Sequence, residues 1–404
     1  MKTLPTLLTI LILFFLLSVQ IDLNAKKTIH EDIFTLDSHI DTPIRLSLPG
    51  FNINKKYNPI IYRSSVDFPR LKEGGLDAGF WAIFSPQSEL TDYKYKLSLK
   101  NAKKRLRQIN NMIKTNSNKF VLAKSVSEIE KFRNEERHII ILSMENAYPL
   151  GEDLDLLNFF YEQGVRMLGF VHVENNQFAD SSTSKKGDYW GGLSNLGRKL
   201  VVKCNELGII IDGSHASDKA VVEMLKLSKA PIILSHSGAK TVFNHPRNVN
   251  DKILLKIAQK GGVISLNAYP QYLKEINFSS EKKKERNNFI KKFFKAEDED
   301  NPMPFELFSR TLKNIDAKYP SINASFQDYM DHFDYILDMI GPEFLGIGAD
   351  WDGGGGVDGM IDVSYIPKIT NYLINKGVSI DDLNEIWSGN ILRVMKDVEQ
   401  NAKR

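Results

Sequence analysis

The chain has 404 residues, 42% apolar and 25% charged, which supplies apolar material for a large core and argues against global disorder. Its 53 Lys and Arg stand against 50 Asp and Glu, and a formal net charge of +3 gives no reason to expect nucleic acid as a partner. The length exceeds that of a usual single core, but barrels of alternating strands and helices often run this long as one domain.

The chain opens with Lys2, an uncharged apolar run over residues 7–19, and small and polar residues leading to Ala25, Lys26 and Lys27. This pattern predicts a secretory signal peptide over 1–25, an exported chain in the periplasm or outside the cell, and one domain over 26–404. The run is shorter than the roughly 20 apolar residues of a membrane span. Contact with a membrane is expected only if the segment stays uncleaved as an anchor. No cysteine near Ala25 offers a lipid attachment point, and the only cysteine, Cys204, excludes an internal disulfide. Cys204 falls in the helical pattern Leu200, Val201, Cys204, Leu207 and reads as a buried thiol.

Eight short runs rich in β-branched residues follow in order, at 33–41, 76–85, 138–145, 166–173, 208–215, 231–237, 262–269 and 344–352. Most are near-continuously apolar, as strands buried on both faces of a parallel sheet are. Helical patterns lie between most of them, among them 92–114, 153–163, 194–207, 217–227 and 251–260. The alternation predicts an α/β fold, a (β/α)8 TIM barrel, with an open doubly wound sheet as the alternative. Residues 273–325 form an insertion between the seventh and eighth strands, charged at Lys282, Lys283, Lys284, Glu285 and Arg286. It reads as a solvated helical excursion, or else as a lid or oligomer contact. Residues 379–401 read as a final helix pair.

The chemistry-bearing residues gather at strand ends. His39 and Asp41 close the first run, and a spacing of two puts both on one face. Alone, such a pair also suits a turn or a satisfied polar contact. Glu145 ends the third run after seven residues starting at His138. A carboxylate there needs a partner, and a salt bridge would serve as well as a metal. His215 ends the fifth run, His236 the sixth and Asp350 the eighth; His172 lies near the end of the fourth. The other histidines, His30, His138, His245 and His332, fall at strand starts, in loops or on helices. In a barrel the C-terminal strand ends meet at one mouth, so these residues converge on one pocket. Three histidines and two carboxylates can hold two metal ions if one carboxylate is shared, and Asp350 remains to handle a proton.

These motifs resemble the membrane dipeptidase (renal dipeptidase) family, zinc peptidases of the metal-dependent hydrolase barrel superfamily. The resemblance covers nearly everything after the signal segment. It rests on Asp37-Ser-His-Ile-Asp41, Val66-Asp-Phe-Pro-Arg-Leu-Lys-Glu-Gly-Gly75, His172 with Asn175-Asn176 and Ala179-Asp180, Ile211-Asp-Gly-Ser-His215, Leu234-Ser-His-Ser237, Arg247-Asn248 with Asp251, and Gly346-Ile-Gly-Ala-Asp-Trp-Asp-Gly353. It implies two zinc ions, one on His39 and Asp41, the other on His215 and His236, bridged by Glu145. It further implies that His172 stabilises the oxyanion, Arg247 pairs with the substrate carboxylate, Asp350 engages the amino group and moves the proton, and Tyr269 walls the pocket. The implied reaction is hydrolysis of a dipeptide with free ends and a small C-terminal residue, D configuration admitted, by a homodimer. The absence of disulfide cysteines fits a bacterial envelope protein.

The chain departs from the family pattern at Asn146-Ala147, where Gly-Gly is usual, at Ser38, where Gly is common, and in the length of the insertion. None removes a ligand; the first and third bear on the substrate pocket. Two other readings remain at this point: an amidohydrolase-like enzyme acting on N-acyl amino acids or another small amide, and a barrel that binds peptides without catalysis.

Overall fold

The protein is described here by a computed structural model covering residues 29–402. The signal peptide expected over 1–25 lies outside the described residues. Nine strands form one parallel sheet: β1 (Leu36–Ile40), β2 (Ala78–Phe84), β3 (Phe120–Leu122), β4 (His138–Glu145), β5 (Val165–Gly169), β6 (Ile210–Asp212), β7 (Ile233–Ser237), β8 (Val263–Leu266) and β9 (Leu345–Ile347). Eight of them follow the order β1-β2-β4-β5-β6-β7-β8-β9. The ring is joined where Ile40 bridges Trp351 in parallel and the Asp41 amide donates to the Trp351 carbonyl at 2.8 Å. This is the (β/α)8 barrel, with β3 as an extra strand. β3 pairs with the first residues of β4, before β5 takes up that edge at Leu142.

The eight barrel strands are buried along their whole length, and their side chains alternate between two apolar clusters. Ile139 and Ile141 of β4 join Leu36, Phe80, Met167, Ile210, Ile233 and Val263, continued by Ile391, Val394 and Met395. Ile140 and Leu142 instead join the larger cluster shared with the surrounding helices. Those helices start where a side chain can satisfy a free amide. Ser194 caps Asn195–Leu207, Ser217 caps Asp218–Leu227 and Asn250 caps Asp251–Gln259. Cys204 is fully buried in the first of these, and burial pushes its thiol pKa up, away from reactivity.

The insertion contributes helices Ser280–Asp298 and Phe305–Lys318. They are not merely solvated. Phe289, Phe293, Phe305 and Phe308 pack with Leu48 and Tyr57 in a cluster of their own. Glu297 accepts two hydrogen bonds from the Arg105 guanidinium, at 2.7 and 2.9 Å, with both side chains buried. The C-terminal segment is a near-continuous helical path, Ile380–Asn384 and Asn390–Asn401 joined by a π turn at Glu385–Gly389, where a helix pair was expected. Among the described residues no helix is long and apolar enough to cross a membrane.

Candidate metal centre

The mouth of the barrel brings the expected residues together, but by two routes. His39, Glu145 and His236 stand within strands. His172, His215, Tyr269 and Asp350 each lie three residues beyond the strand that carries them. The expectation that His215 and Asp350 end strands is therefore corrected. Both are in loops, with φ of +67° and +62°, the left-handed region that non-glycine residues seldom adopt. The turn aims each side chain back into the mouth. Gly353 makes room for this, since a Cβ there would collide with the carboxylates of both Asp41 and Asp350.

Glu145 is the centre of the cluster. Its Oε2 lies 3.6 Å from His39 Nε2. Its Oε1 lies 3.1 Å from His215 Nε2, 3.6 Å from His172 Nε2 and 3.7 Å from His236 Nε2. The two oxygens thus face different imidazoles. His39 Nε2 is also 3.6 Å from Asp41 Oδ2, and His215 Nε2 is 2.9 Å from His236 Nε2. Asp350 completes a third potential ligand group with His39 and Asp41.

These residues fit metal ions. Two ligands held about 2.0–2.1 Å from one tetrahedral ion stand roughly 3.3 Å apart, which the observed separations bracket. Both His39 nitrogens, His215 Nδ1 and Asp41 Oδ1 are buried without hydrogen-bond partners, a costly arrangement unless something binds them. The electrostatics agree. Burial, then the negative charge of Glu145, raises the Asp41 pKa. Burial raises Asp350 well above the carboxylate range, and Asp41 and Glu145 add to it. Burial also works against ionised Glu145, but His39, His172 and His215 outweigh it and hold its pKa well below the usual range. Burial lowers His39, yet Glu145 and Asp41 drive it well above its ordinary value. Two crowded carboxylates, Glu145 and Asp41, thus favour a proton on the His39 imidazole at a place where a metal cation would serve the same charges. His215 and His236 are pushed well below the usual histidine range by burial, aided by Arg247, and so present the neutral form that ligates metals.

Arg247 is buried against the cluster. Its Nη2 donates to the His236 carbonyl at 3.0 Å, while its Nε has no acceptor. Its guanidinium stands 5.3 Å from the ring centre of Tyr272, a residue the sequence reading passed over. Tyr272 stacks on Tyr269 at 4.4 Å. The signal was present, since Tyr269 and Tyr272 flank Pro270 at the start of a short helix, Pro270–Leu273. Phe84 was also missed. It packs edge-on against His172 at 4.8 Å and meets Phe294 of the insertion at 5.9 Å, so the insertion reaches the rim of the site.

Comparison with known proteins agrees with this architecture. The chain is 29% identical over 346 residues to dipeptidase aclJ of Aspergillus oryzae, covering 84% of this chain and 71% of that one. It is 27% identical over 374 residues to dipeptidase 3 of Mus musculus, 91% of this chain and 65% of the mouse protein. The crystal structure of the probable dipeptidase PvdM from Pseudomonas aeruginosa superposes with a TM-score of 0.78 at 30% identity, over 94% of this chain and 98% of that one. The family model described as membrane dipeptidase (Peptidase family M19) matches residues 23–404, and the chain belongs to that family.

Proposed function

We propose that this chain is a zinc-dependent dipeptidase that hydrolyses the peptide bond of dipeptides with free amino and carboxyl ends. The observation that carries the reading is the Glu145 carboxylate, its two oxygens turned to different imidazoles, with buried Arg247 and Asp350 bordering the same cluster. In this reading His39 and Asp41 hold one zinc, His215 and His236 the other, and Glu145 is shared. When bound, the two ions supply Lewis acidity that polarises the scissile carbonyl and lowers the pKa of the attacking water.

The chain's own groups do the rest. Arg247 offers the free edge of its fork to the terminal carboxylate of the substrate. Asp350 accepts the substrate ammonium, takes the proton of the attacking water and passes it to the leaving nitrogen as the C–N bond breaks. His172, its pKa lowered by burial and by Arg247, stays neutral and donates to the carbonyl oxygen as negative charge develops there. Tyr269 walls the pocket. A cation-reader and an anion-reader at the two ends measure a substrate two residues long. The proposal extends to export through residues 1–25 into the cell envelope and to a homodimeric assembly.

Metal analysis of the purified protein with a panel of dipeptides and N-acetylated controls tests the reading. Two equivalents of zinc and hydrolysis of free dipeptides alone are expected. Undiminished rates on the acetylated compounds would instead identify an N-acyl amino acid hydrolase. No turnover by the metal-replete protein would leave a peptide-binding barrel.

A further inference from the structure

We propose that Asp212 and Ser235 act as a hydroxyl-relayed clamp that decides which ring nitrogen of His236 carries its proton, and so whether the metal subsite of His215 and His236 can form. The inference rests on the two-metal reading above, but concerns residues that touch neither metal nor substrate.

The clamp begins with a weak joint in the barrel. β6 and β7 share a single paired position, Asp212 with Ile233. Past that point the backbones diverge, as they must to aim His215 and His236 at one spot. The Asp212 side chain replaces the missing ladder. Its Oδ1 accepts from the amides of Ser214 and Ser235, both at 2.9 Å. Its Oδ2 accepts from the Ser235 hydroxyl at 2.6 Å. The Ser214 hydroxyl in turn accepts from the His236 amide at 3.1 Å. All of these residues are buried.

The direction of the relay follows from proton counting. A carboxylate only accepts hydrogen bonds, so the single Ser235 proton points to Asp212. Ser235 Oγ also lies 2.8 Å from His236 Nδ1. With its proton committed, that oxygen can only accept, so Nδ1 carries the hydrogen. His236 Nε2 is then left with a free lone pair, and it is this nitrogen that stands 2.9 Å from His215 Nε2 and 3.7 Å from Glu145 Oε1. The other two candidate histidine ligands have no such partner, since Nδ1 of His39 and of His215 is unbonded. Asp212 and Ser235 are positioning residues: the hydroxyl relay acts through His236, while Asp212 also holds the Ser214 amide beside His215.

Asp212→Asn inverts the relay without changing its shape. The amide oxygen still accepts from the Ser214 and Ser235 backbones, but the amide nitrogen now donates to Ser235. The hydroxyl then donates to His236 Nδ1 at 2.8 Å, the nearer of its two remaining acceptors with Ser214 Oγ at 3.4 Å, which places the ring proton on Nε2, the nitrogen that should bind metal. Zinc stoichiometry and competition with a chromophoric chelator, together with long-range 15N–1H spectra of the histidine rings in the metal-free protein, test this. The wild type should bind two zinc ions and show His236 protonated on Nδ1. In Asp212→Asn the ring signals should switch tautomer, and one of the two ions should bind about 10–100-fold more weakly. Ser235→Ala, which disturbs no backbone contact, should weaken the same ion and carries the test if Asp212→Asn fails to fold. Two ions bound by both variants at wild-type affinity, or an unchanged tautomer in Asp212→Asn, would overturn the clamp while leaving the two-metal reading intact. A wild type that binds no zinc would overturn both.

Discussion

Replacing Arg247 by Ala should abolish recognition of the substrate's carboxyl end, and a thermodynamic cycle can isolate that effect. One guanidinium nitrogen, Nη2, is already committed to the His236 carbonyl. Nε is buried and has no acceptor, and together with the second hydrogen of Nη2 it forms the edge of the fork that would meet a carboxylate. Two parallel charge-assisted hydrogen bonds contribute about 1.5 kcal/mol each at the low end, so their loss should cost about 3 kcal/mol, roughly 100-fold in kcat/KM. Truncation also leaves the His236 carbonyl beside the metal cluster with only the long 3.5 Å contact from Asn267 Nδ2, so zinc content must be measured on the same sample. The assay compares a free dipeptide with its C-terminal amide in both proteins. The wild type should prefer the free acid by about two decades, and Arg247→Ala should treat the two substrates nearly alike. If the variant slows on both substrates by the same factor while retaining zinc, Arg247 does not read the carboxylate and the assignment of the substrate's direction fails. Arg247→Lys should fall between, because a point charge replaces the fork.

Asp350→Asn should lower kcat by about 10²–10⁴ with zinc content retained, and equal rates in variant and wild type would remove it from proton handling. Chelation should lower the melting temperature, because Asp41, Glu145 and Asp350 are then left crowded together; an unchanged melt would contradict the ligand assignment. Burial holds the His138 imidazole down to about 4, where its Nε2 accepts from Trp81 and its Nδ1 faces the Leu76 carbonyl. The unfolded chain takes up that proton first, so stability is full above about pH 6.5 and declines as pH falls toward about 4. Urea titrations should show about 2–3 kcal/mol lost at pH 4.5 from this residue, and His138→Gln should flatten the dependence. Arg105→Met should destabilise by about 3–5 kcal/mol through the stranded Glu297 carboxylate, while Arg105→Met with Glu297→Leu should recover most of it in the same unfolding assay.

Most of the eight barrel strands were legible because they are apolar runs bounded by turn residues, the pattern that burial on both faces imposes. β3 was not. Three residues, Phe120–Leu122, are too few to show a period, and Lys119 and Lys124 bracket them. The candidate metal residues were legible as polar groups at the ends of apolar runs. Their backbone was not, because the left-handed turns at His215 and Asp350 break the usual rule for non-glycine residues. The insertion misled in a different way. Its charges are visible in sequence, but they mask the spacing of Phe289 and Phe293, which one helical face buries. Asp212 and Ser235 lie inside the quoted motifs, but their contact was not legible, since a hydrogen bond between side chains distant in sequence leaves no local pattern.

The left-handed turns also bear on how this barrel would evolve. A non-glycine residue in such a conformation costs on the order of 1–3 kcal/mol, which Gly relieves, while Asn at 350 instead removes a charge from the crowded carboxylates. Selection for heat tolerance alone would therefore favour exchanging His215 and Asp350, improving the fold while silencing the site. A stability screen of this chain without an activity filter should enrich exchanges at those two positions, as at Arg63, which shares the left-handed backbone outside the site. An inert descendant of the fold would then be recognised by Gly at 215 and Gly or Asn at 350, even where His39 and Glu145 persist.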